Sequence, residues 1–116
     1  MKTRQYLRVP LPIPVRFKVV DRDNDFRLTR IEDISWGGAF VVITAPPPLG
    51  SRVILQFLFS DESVLLELWG GVVRARPAAN GAPAGVGVEF DALDHDAQSL
   101  IQRLVDEQIR VILCKG

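Results

Sequence analysis

The chain of 116 residues is long enough for one domain with a hydrophobic core that needs neither disulfides nor a metal. Its 47% hydrophobic residues exceed what a disordered chain carries, and its single cysteine excludes an intramolecular disulfide. No apolar run approaches the roughly 18–20 residues of a membrane-spanning helix. The N-terminus also lacks the apolar core of a secretory signal, so we expect a cytoplasmic protein without membrane insertion.

The net charge is zero but unevenly distributed along the chain. Residues 1–30 carry eight basic and three acidic side chains, a net charge of +5, whereas residues 31–116 carry six basic and eleven acidic ones, a net charge of −5. The N-terminal end is therefore expected either to face an anion or simply to solvate one surface. The acidic remainder disfavours a nucleic-acid polymer as partner, because such a binder needs basic and aromatic side chains interleaved on one sheet face.

The first elements are a basic arm, residues 1–9, and a proline-rich segment. Pro10, Pro12 and Pro14 exclude a helix there. They favour extended backbone at the edge of a sheet, because proline cannot donate a backbone hydrogen bond.

Short apolar runs with alternating or β-branched residues predict six strands separated by turn-forming residues. The predicted strands cover residues 15–19, 27–34, 39–44, 53–59, 64–75 and 85–90. Inside the fifth run, Gly70 and Gly71 indicate a bulge or a close approach of two backbones. Trp69 beside them is expected in the core.

After the last strand the apolar residues change to the i, i+3, i+4 spacing of an amphipathic helix. The helix is predicted from about Asp96 to Leu113, with Asp94 or Asp96 as its N-terminal cap. Its apolar positions are Ala97, Leu100, Ile101, Leu104, Val105 and Ile109. Many short strands followed by one helix predict a mainly β fold, with a small antiparallel barrel over residues 10–92 and a helical segment 93–114 packed on it.

Two short polar patterns carry the functional chemistry, and the first is R-x-x-x-R in the arm, formed by Arg4 and Arg8. An arginine guanidinium binds a phosphate, or the O6/N7 edge of guanine, through two parallel hydrogen bonds. In an extended chain the two arginines lie roughly 13 Å apart. They would then bracket a large ligand, converge if the arm curls, or remain solvated.

The second pattern is D-x-S-x-x-G at the end of the second predicted strand, with Asp33, Ser35 and Gly38. Residues two apart in a strand point to the same face, so Asp33 and Ser35 are expected side by side while Ile34 points inward. Gly37 and Gly38 would let the backbone turn and approach a ligand without a Cβ in the way. A simple turn that ends a strand would use the same residue types.

The remaining residues give no indication of catalysis or of a metal site. The sequence has one histidine, His95, and one cysteine, Cys114, so a metal cluster or a histidine-based triad lacks a second member. There is no Walker A motif and no dinucleotide-binding glycine pattern. We therefore expect neither an enzyme nor a cofactor. Trp36 would either stack on a nucleotide base or cover the mouth of the barrel.

Taken together, the two patterns resemble the PilZ domain family of bacterial cyclic di-GMP receptors, and the resemblance covers nearly the whole chain. The similar segments are Arg8-Val9-Pro10, Val15-Arg16-Phe17, Asp33-Ile34-Ser35, Gly37-Gly38-Ala39, Gly71-Val72-Val73-Arg74 and Gly87-Val88-Glu89-Phe90. The resemblance implies a six-stranded antiparallel barrel with a C-terminal helix, which binds the dinucleotide at its outer edge.

The same resemblance implies roles for individual residues. Arg4 and Arg8 would grip guanine edges and phosphates from the arm. Asp33 and Ser35 would hydrogen-bond a guanine and its sugar-phosphate, and Gly38 would shape the turn. The small molecule expected in the site is therefore a ligand, cyclic di-GMP, and not a cofactor.

The function implied is a receptor that binds cyclic di-GMP and relays it to an unidentified partner protein that controls motility, pili or surface behaviour. The alternative is a protein-interaction adaptor that uses the same barrel without any nucleotide. Adaptors of that kind usually lack both patterns, so the presence of R-x-x-x-R and D-x-S-x-x-G favours the receptor.

Overall fold

The computed structural model describes residues 9–58, 63–103 and 106. Within this part of the chain, six antiparallel strands form a closed barrel in the order β1-β2-β3-β6-β5-β4, and a helix, α1, follows from residue 95. The strands are β1 Val9–Val19, β2 Arg27–Ile34, β3 Gly38–Val42, β4 Arg52–Leu58, β5 Val64–Arg76 and β6 Gly85–Phe90. The predicted fold class, a six-stranded antiparallel barrel with one C-terminal helix, is confirmed.

β1 is longer than the sequence predicted because the proline-rich segment belongs to it. Its backbone pairs with β2 from Val9, opposite Ile34, to Phe17, opposite Arg27, whereas its pairing with β4 in the described residues is confined to Val15–Val19. Proline lacks an N–H group, so it is tolerated where a strand is paired on one side. The extended backbone predicted for the prolines is confirmed.

Alternate residues of the strands fill the barrel and form one apolar cluster to which all six strands contribute. Phe17, Ile31 and Phe57 are at most 1% exposed within it. Ala97 and Ile101 of α1, four residues apart on one helix face, belong to the same cluster. Burying a side chain such as Ile101 contributes about 1.5–3 kcal/mol, which holds the helix against the barrel as predicted.

α1 begins with a capping residue that the sequence predicted. Asp94 Oδ1 accepts a hydrogen bond of 2.8 Å from the Ala97 N–H, and the Asp94 carbonyl accepts one of 3.0 Å from the Gln98 N–H. Asp94 is therefore the N-cap, whose side chain satisfies a backbone donor of the first turn. The predicted helix end near Leu113 lies outside the described residues, as do residues 1–8 and 59–62. No helix in the described part is long and apolar enough to cross a membrane.

Trp69 is not a core residue, contrary to the prediction. Its side chain is 44% exposed on the outside of β5, whereas its neighbours Leu68 and Gly70 are buried. Successive residues of a strand point to opposite faces, and here the inner face belongs to Leu68, Gly70 and Val72. The nearly continuous apolar run around Trp69 concealed this alternation in the sequence.

β5 and β6 approach each other closely at Gly70. A Cβ at this position would collide with the Glu89 carbonyl oxygen, so the close backbone approach predicted here is confirmed. At Gly71 the nearest atom to an added Cβ would be 3.8 Å away, an ordinary contact. The irregularity in the pairing of β5 with β6 lies further along, between Val72 and Arg74.

We expect Gly70→Ala to destabilise the barrel and Gly71→Ala to leave its stability nearly unchanged. The methyl group at position 70 would push β5 away from β6, and overpacking of this kind costs typically about 1–3 kcal/mol. Urea denaturation of the two variants and the wild type, followed by circular dichroism, measures the free energy of unfolding. Equal transition midpoints for the two variants would contradict the close approach at Gly70.

Candidate ligand-binding site

An irregularity in β2 turns Asp33 towards the outside of the barrel. Ile31 pairs with Val41 of β3 and Asp33 pairs with Phe40, so Glu32 has no residue opposite it and forms a bulge. Ile31 is fully buried, and strict alternation would place Asp33 on the same inner face. Because the bulge breaks the alternation, Glu32 and Asp33 both lie half-buried on the outer side.

Ser35 closes the turn between β2 and β3. Its N–H donates to the Gly38 carbonyl oxygen at 2.8 Å, and its hydroxyl donates to the same oxygen at 3.3 Å. The Ser35 side chain is buried, and Ile34 before it lies in the core, as predicted. The Gly37 carbonyl accepts a hydrogen bond of 2.8 Å from the Phe90 N–H, which anchors the turn to the end of β6.

Gly38 is required by the packing of β3 against β6. A Cβ on Gly38 would collide with the Val88 carbonyl oxygen of β6. Neither Gly37 nor Gly38 has a positive φ, the conformation for which turns select glycine; among the described glycines it occurs at Gly50 and Gly81. The expectation that the conformational freedom of these glycines forms the turn is therefore corrected, since the close approach of β6 explains Gly38.

The register of the barrel places four residues in one row across the outer face of β2, β3, β6 and β5. Asp33 lies opposite Phe40, and Phe40 lies opposite Gly87. Gly87 in turn lies opposite Arg74. A Cβ on Gly87 would lie 3.3 Å from Nε and Nη2 of Arg74, so the arginine side chain lies across this glycine. The row therefore joins a carboxylate to a guanidinium.

Two hollows in the outer surface meet at Arg74. The first contains Ser35, Gly38 and Glu89, and the second contains Asp33. Arg74 borders both. The D-x-S-x-x-G residues thus lie in neighbouring hollows that are joined by an arginine from β5.

Arg76 is fixed beside the hollow of Asp33. Its guanidinium donates two hydrogen bonds of 3.0 Å to the Glu32 carboxylate and two more, of 2.7 and 3.2 Å, to the Pro83 carbonyl oxygen. The guanidinium carbon also lies 4.2 Å from the centroid of the Phe40 ring, within range of a cation–π interaction. Arg76 therefore ties together β2, β3 and the segment before β6.

The charges of this cluster stabilise one another. Hydrogen bonding from Arg76 is the main reason that the pKa of Glu32 lies below its ordinary value of 4.5. The Glu32 carboxylate, chiefly through these hydrogen bonds, raises the pKa of Arg76, and the charge of Asp33 adds to the effect. Both members of the pair are therefore ionised at neutral pH.

Arg74 differs from Arg76 in having no fixed partner among the described residues. It is exposed, and its guanidinium makes no hydrogen bond or ion pair with any residue that the structure describes. An arginine carries five N–H donors in a rigid planar arrangement. Within the described part of the chain, those donors are unused at the point where the two hollows meet.

Trp36, in the β2–β3 turn, faces a hollow that is also lined by the helix. Its side chain is 37% exposed and lines a separate hollow with residues of α1. The helix residues in this hollow are His95, Gln98, Ser99, Gln102 and Arg103. Trp36 is not among the residues around Asp33, so the structure places it towards the helix.

The structure thus brings together the predicted residues Asp33, Ser35 and Gly38 at the end of the β2–β3 hairpin. The other two predicted site residues, Arg4 and Arg8, lie outside the described residues. Within the described part, no group of three or more His, Cys, Asp or Glu side chains is arranged to hold a metal ion.

Sequence reasoning did not identify Arg74, Arg76 and Phe40, which line the hollow of Asp33, as members of the candidate site. Arg74 lies in the predicted fifth strand, residues 64–75, and Arg76 lies one residue beyond its predicted end; residues two apart share one face where the strand continues. That spacing was the available signal for a shared arginine face. Which residues lie next to this face depends on how β5 pairs with β6 and how β6 pairs with β3. Pairing between distant segments cannot be read from a single strand.

Comparison with protein-family models matches residues 2–107 to the PilZ domain. Comparison with curated proteins gives no match. Among solved structures, the PilZ domain of YcgR from Escherichia coli with c-di-GMP is similar with a TM-score of 0.73 at 18% identity, over 98% of this chain and 97% of that one. The PilZ domain of CeSA from a cellulose-synthesizing bacterium is similar with a TM-score of 0.62 at 26% identity, over 87% and 96% of the two chains.

A third similar structure is the inhibitor of motility MotI/DgrA from Bacillus subtilis, with a TM-score of 0.73 at 21% identity. The match covers 99% of this chain but 54% of that protein, so the chain spans about half of its length. At such low identity, the similarity of structures establishes only the fold. The family match extends over residues 2–107 and therefore establishes the family. On this evidence, the chain belongs to the PilZ domain family.

Proposed function

We propose that this chain is a receptor for cyclic di-GMP and that the outer face of β2, β3, β6 and β5 binds the nucleotide. The observation that carries the proposal is the row that joins the Asp33 carboxylate to the Arg74 guanidinium. Cyclic di-GMP has two phosphates and two guanines, and each guanine has N–H donors on one edge and the O6 and N7 acceptors on another. A carboxylate and guanidinium groups are the complementary partners.

Asp33 accepts hydrogen bonds from the N–H groups of a guanine in this proposal. Ser35, whose hydroxyl hydrogen is used within the turn, accepts a further bond through its oxygen, and Gly38 keeps the turn against β6. Arg4 and Arg8 hold phosphates and guanine edges. β1 begins opposite Ile34, one residue from Asp33, so the arm is attached to the barrel at the edge of the site.

The ligand is supported by the relatives of this chain. The family is shown by the match over residues 2–107, and the PilZ domain of YcgR, which has the same fold, was solved with c-di-GMP. The ligand chemistry of the described face agrees with this choice, because both a carboxylate and an available guanidinium are present on one side of the sheet.

The bound nucleotide acts on a partner protein that controls motility, pili or surface behaviour. Similarity to a protein named as an inhibitor of motility supports motility among these outputs. Trp36 provides the physical connection within the domain, since it belongs to the turn of the site and shares a hollow with the first turns of α1. Ligand that shifts the turn would therefore change the surface of the helix.

Isothermal titration calorimetry with cyclic di-GMP tests the ligand and its residues. We expect the wild type to bind, and Asp33→Asn and Arg8→Ala each to lose affinity roughly 10- to 150-fold, the cost of about 1.5–3 kcal/mol for one charge-assisted pair. Asp33→Asn keeps the size of the side chain, so its effect reports on the carboxylate charge.

Arg22→Ala is the matched control for Arg8→Ala because it removes the same charge from the β1–β2 turn, at the opposite end of that hairpin from Asp33. We expect it to bind cyclic di-GMP like the wild type. No binding by the wild type would contradict the receptor and favour the nucleotide-independent adaptor. Binding that is unchanged in Asp33→Asn and Arg8→Ala would contradict the assignment of the site.

Hydrogen–deuterium exchange of α1 tests the connection through Trp36. We expect saturating cyclic di-GMP to change the exchange of backbone amides in residues 95–103 of the wild type. In Trp36→Ala, the nucleotide should still bind but leave the helix amides unchanged, because the side chain that lines the shared hollow is lost. Exchange that responds equally in both proteins would show that another route carries the change.

A further inference from the structure

We propose that Arg74 is a base-reading residue of the site and binds the O6/N7 edge of a guanine of the ligand, an inference that rests on the proposed function. The starting point is its position. Arg74 stands at the end of the row that begins at Asp33, on the same outer face, and it borders both hollows of the site. Three strand spacings of about 4.8 Å separate the two backbones by roughly 14 Å along the curved wall of the barrel, so the straight distance between them is shorter.

The surface between Asp33 and Arg74 presents two guanidinium groups, one over an aromatic ring and one over a glycine. The two intervening positions are Phe40, whose ring is buried beneath Arg76, and Gly87, which has no side chain. The Arg74 side chain lies across Gly87 and so extends along the row. A guanine bound here would meet a carboxylate at one end and a guanidinium at the other.

Arg74 is prepared to bind because its donors have no fixed partner among the described residues, unlike those of Arg76, which are held by Glu32 and Pro83. The planar guanidinium can donate two parallel hydrogen bonds to O6 and N7 of guanine. At the corresponding positions adenine has an N6 amino donor and the N7 acceptor, so this contact discriminates between the two bases.

The local charge favours a base over a phosphate as the group that Arg74 binds. The hollows on either side of it contain two guanidiniums, Arg74 and Arg76, and three carboxylates, Glu32, Asp33 and Glu89. Arg30, exposed on β2 and close enough for its charge to help lower the pKa of Glu32, adds a third guanidinium, so the described face has no net charge and offers no excess of positive charge to an anion. A neutral guanine, with a donor edge and an acceptor edge, matches both kinds of side chain.

Calorimetric titration of Arg74→Ala, Arg74→Lys and Arg22→Ala with cyclic di-GMP tests the role of this side chain. We expect Arg74→Ala to lose affinity about 10- to 100-fold. Arg74→Lys should lose nearly as much, because lysine keeps the charge but cannot make two parallel hydrogen bonds. Arg22→Ala should bind like the wild type. Full affinity in Arg74→Lys would overturn the bidentate contact.

A second ligand, cyclic di-GMP with 7-deazaguanine in place of guanine, separates base reading from phosphate binding because it lacks the N7 acceptor. We expect the wild type to prefer the natural ligand and the preference to shrink in Arg74→Ala, the coupling that a direct contact produces. An undiminished preference in Arg74→Ala would overturn the assignment to the base.

The outcomes also separate this inference from the receptor function on which it rests. If the wild type does not bind cyclic di-GMP, the proposed receptor function is contradicted. Wild-type binding that is weakened by Asp33→Asn but unchanged by Arg74→Ala would retain the receptor and overturn only the role of Arg74. Thermal denaturation of each variant checks that the barrel is folded, which is expected because Arg74 is exposed.

Discussion

The bulge at Glu32 is the local feature on which the candidate site depends. It keeps Ile31 and Ile34 in the core while both intervening carboxylates face outward. Without the extra residue, regular alternation would direct Asp33 into the apolar cluster, where an unpaired charge is strongly unfavourable. The same irregularity brings Glu32 within hydrogen-bonding distance of Arg76. One inserted residue thus creates both the carboxylate of the site and the ion pair beside it.

Much of the fold could be predicted from the sequence because its signals are local. Alternating runs identified the strands, the change of period identified α1, and Asp94 was one of two candidate caps. Predictions failed where the outcome depends on contacts between distant segments. Trp69 faces outward because the pairing of β5 with β4 and β6 turns Leu68, Gly70 and Val72 inward. Gly38 is needed because β6 lies against it.

The site was predictable only in part for the same reason. The D-x-S-x-x-G pattern identified the end of the β2–β3 hairpin, but it did not reveal that Ser35 closes the turn with its own hydrogen bonds. The row from Asp33 to Arg74 crosses four strands and requires three correct pairings. A shift of one residue in any of them would send a member of the row to the other face.

The uneven charge of the chain has a chemical explanation if the ligand is cyclic di-GMP. With Arg30 beside Glu32, the described face around Arg74 carries as many carboxylates as guanidiniums, so it offers no net positive charge to a phosphate but both kinds of partner to a guanine. The two phosphates then need cations from elsewhere, and residues 1–30 carry the net charge of +5, including Arg4 and Arg8. The basic side chains of residues 1–30 attract any phosphate, whereas the described face around Arg74 selects the guanine base. Specific recognition therefore requires both parts, and neither the basic arm nor the barrel would provide it alone.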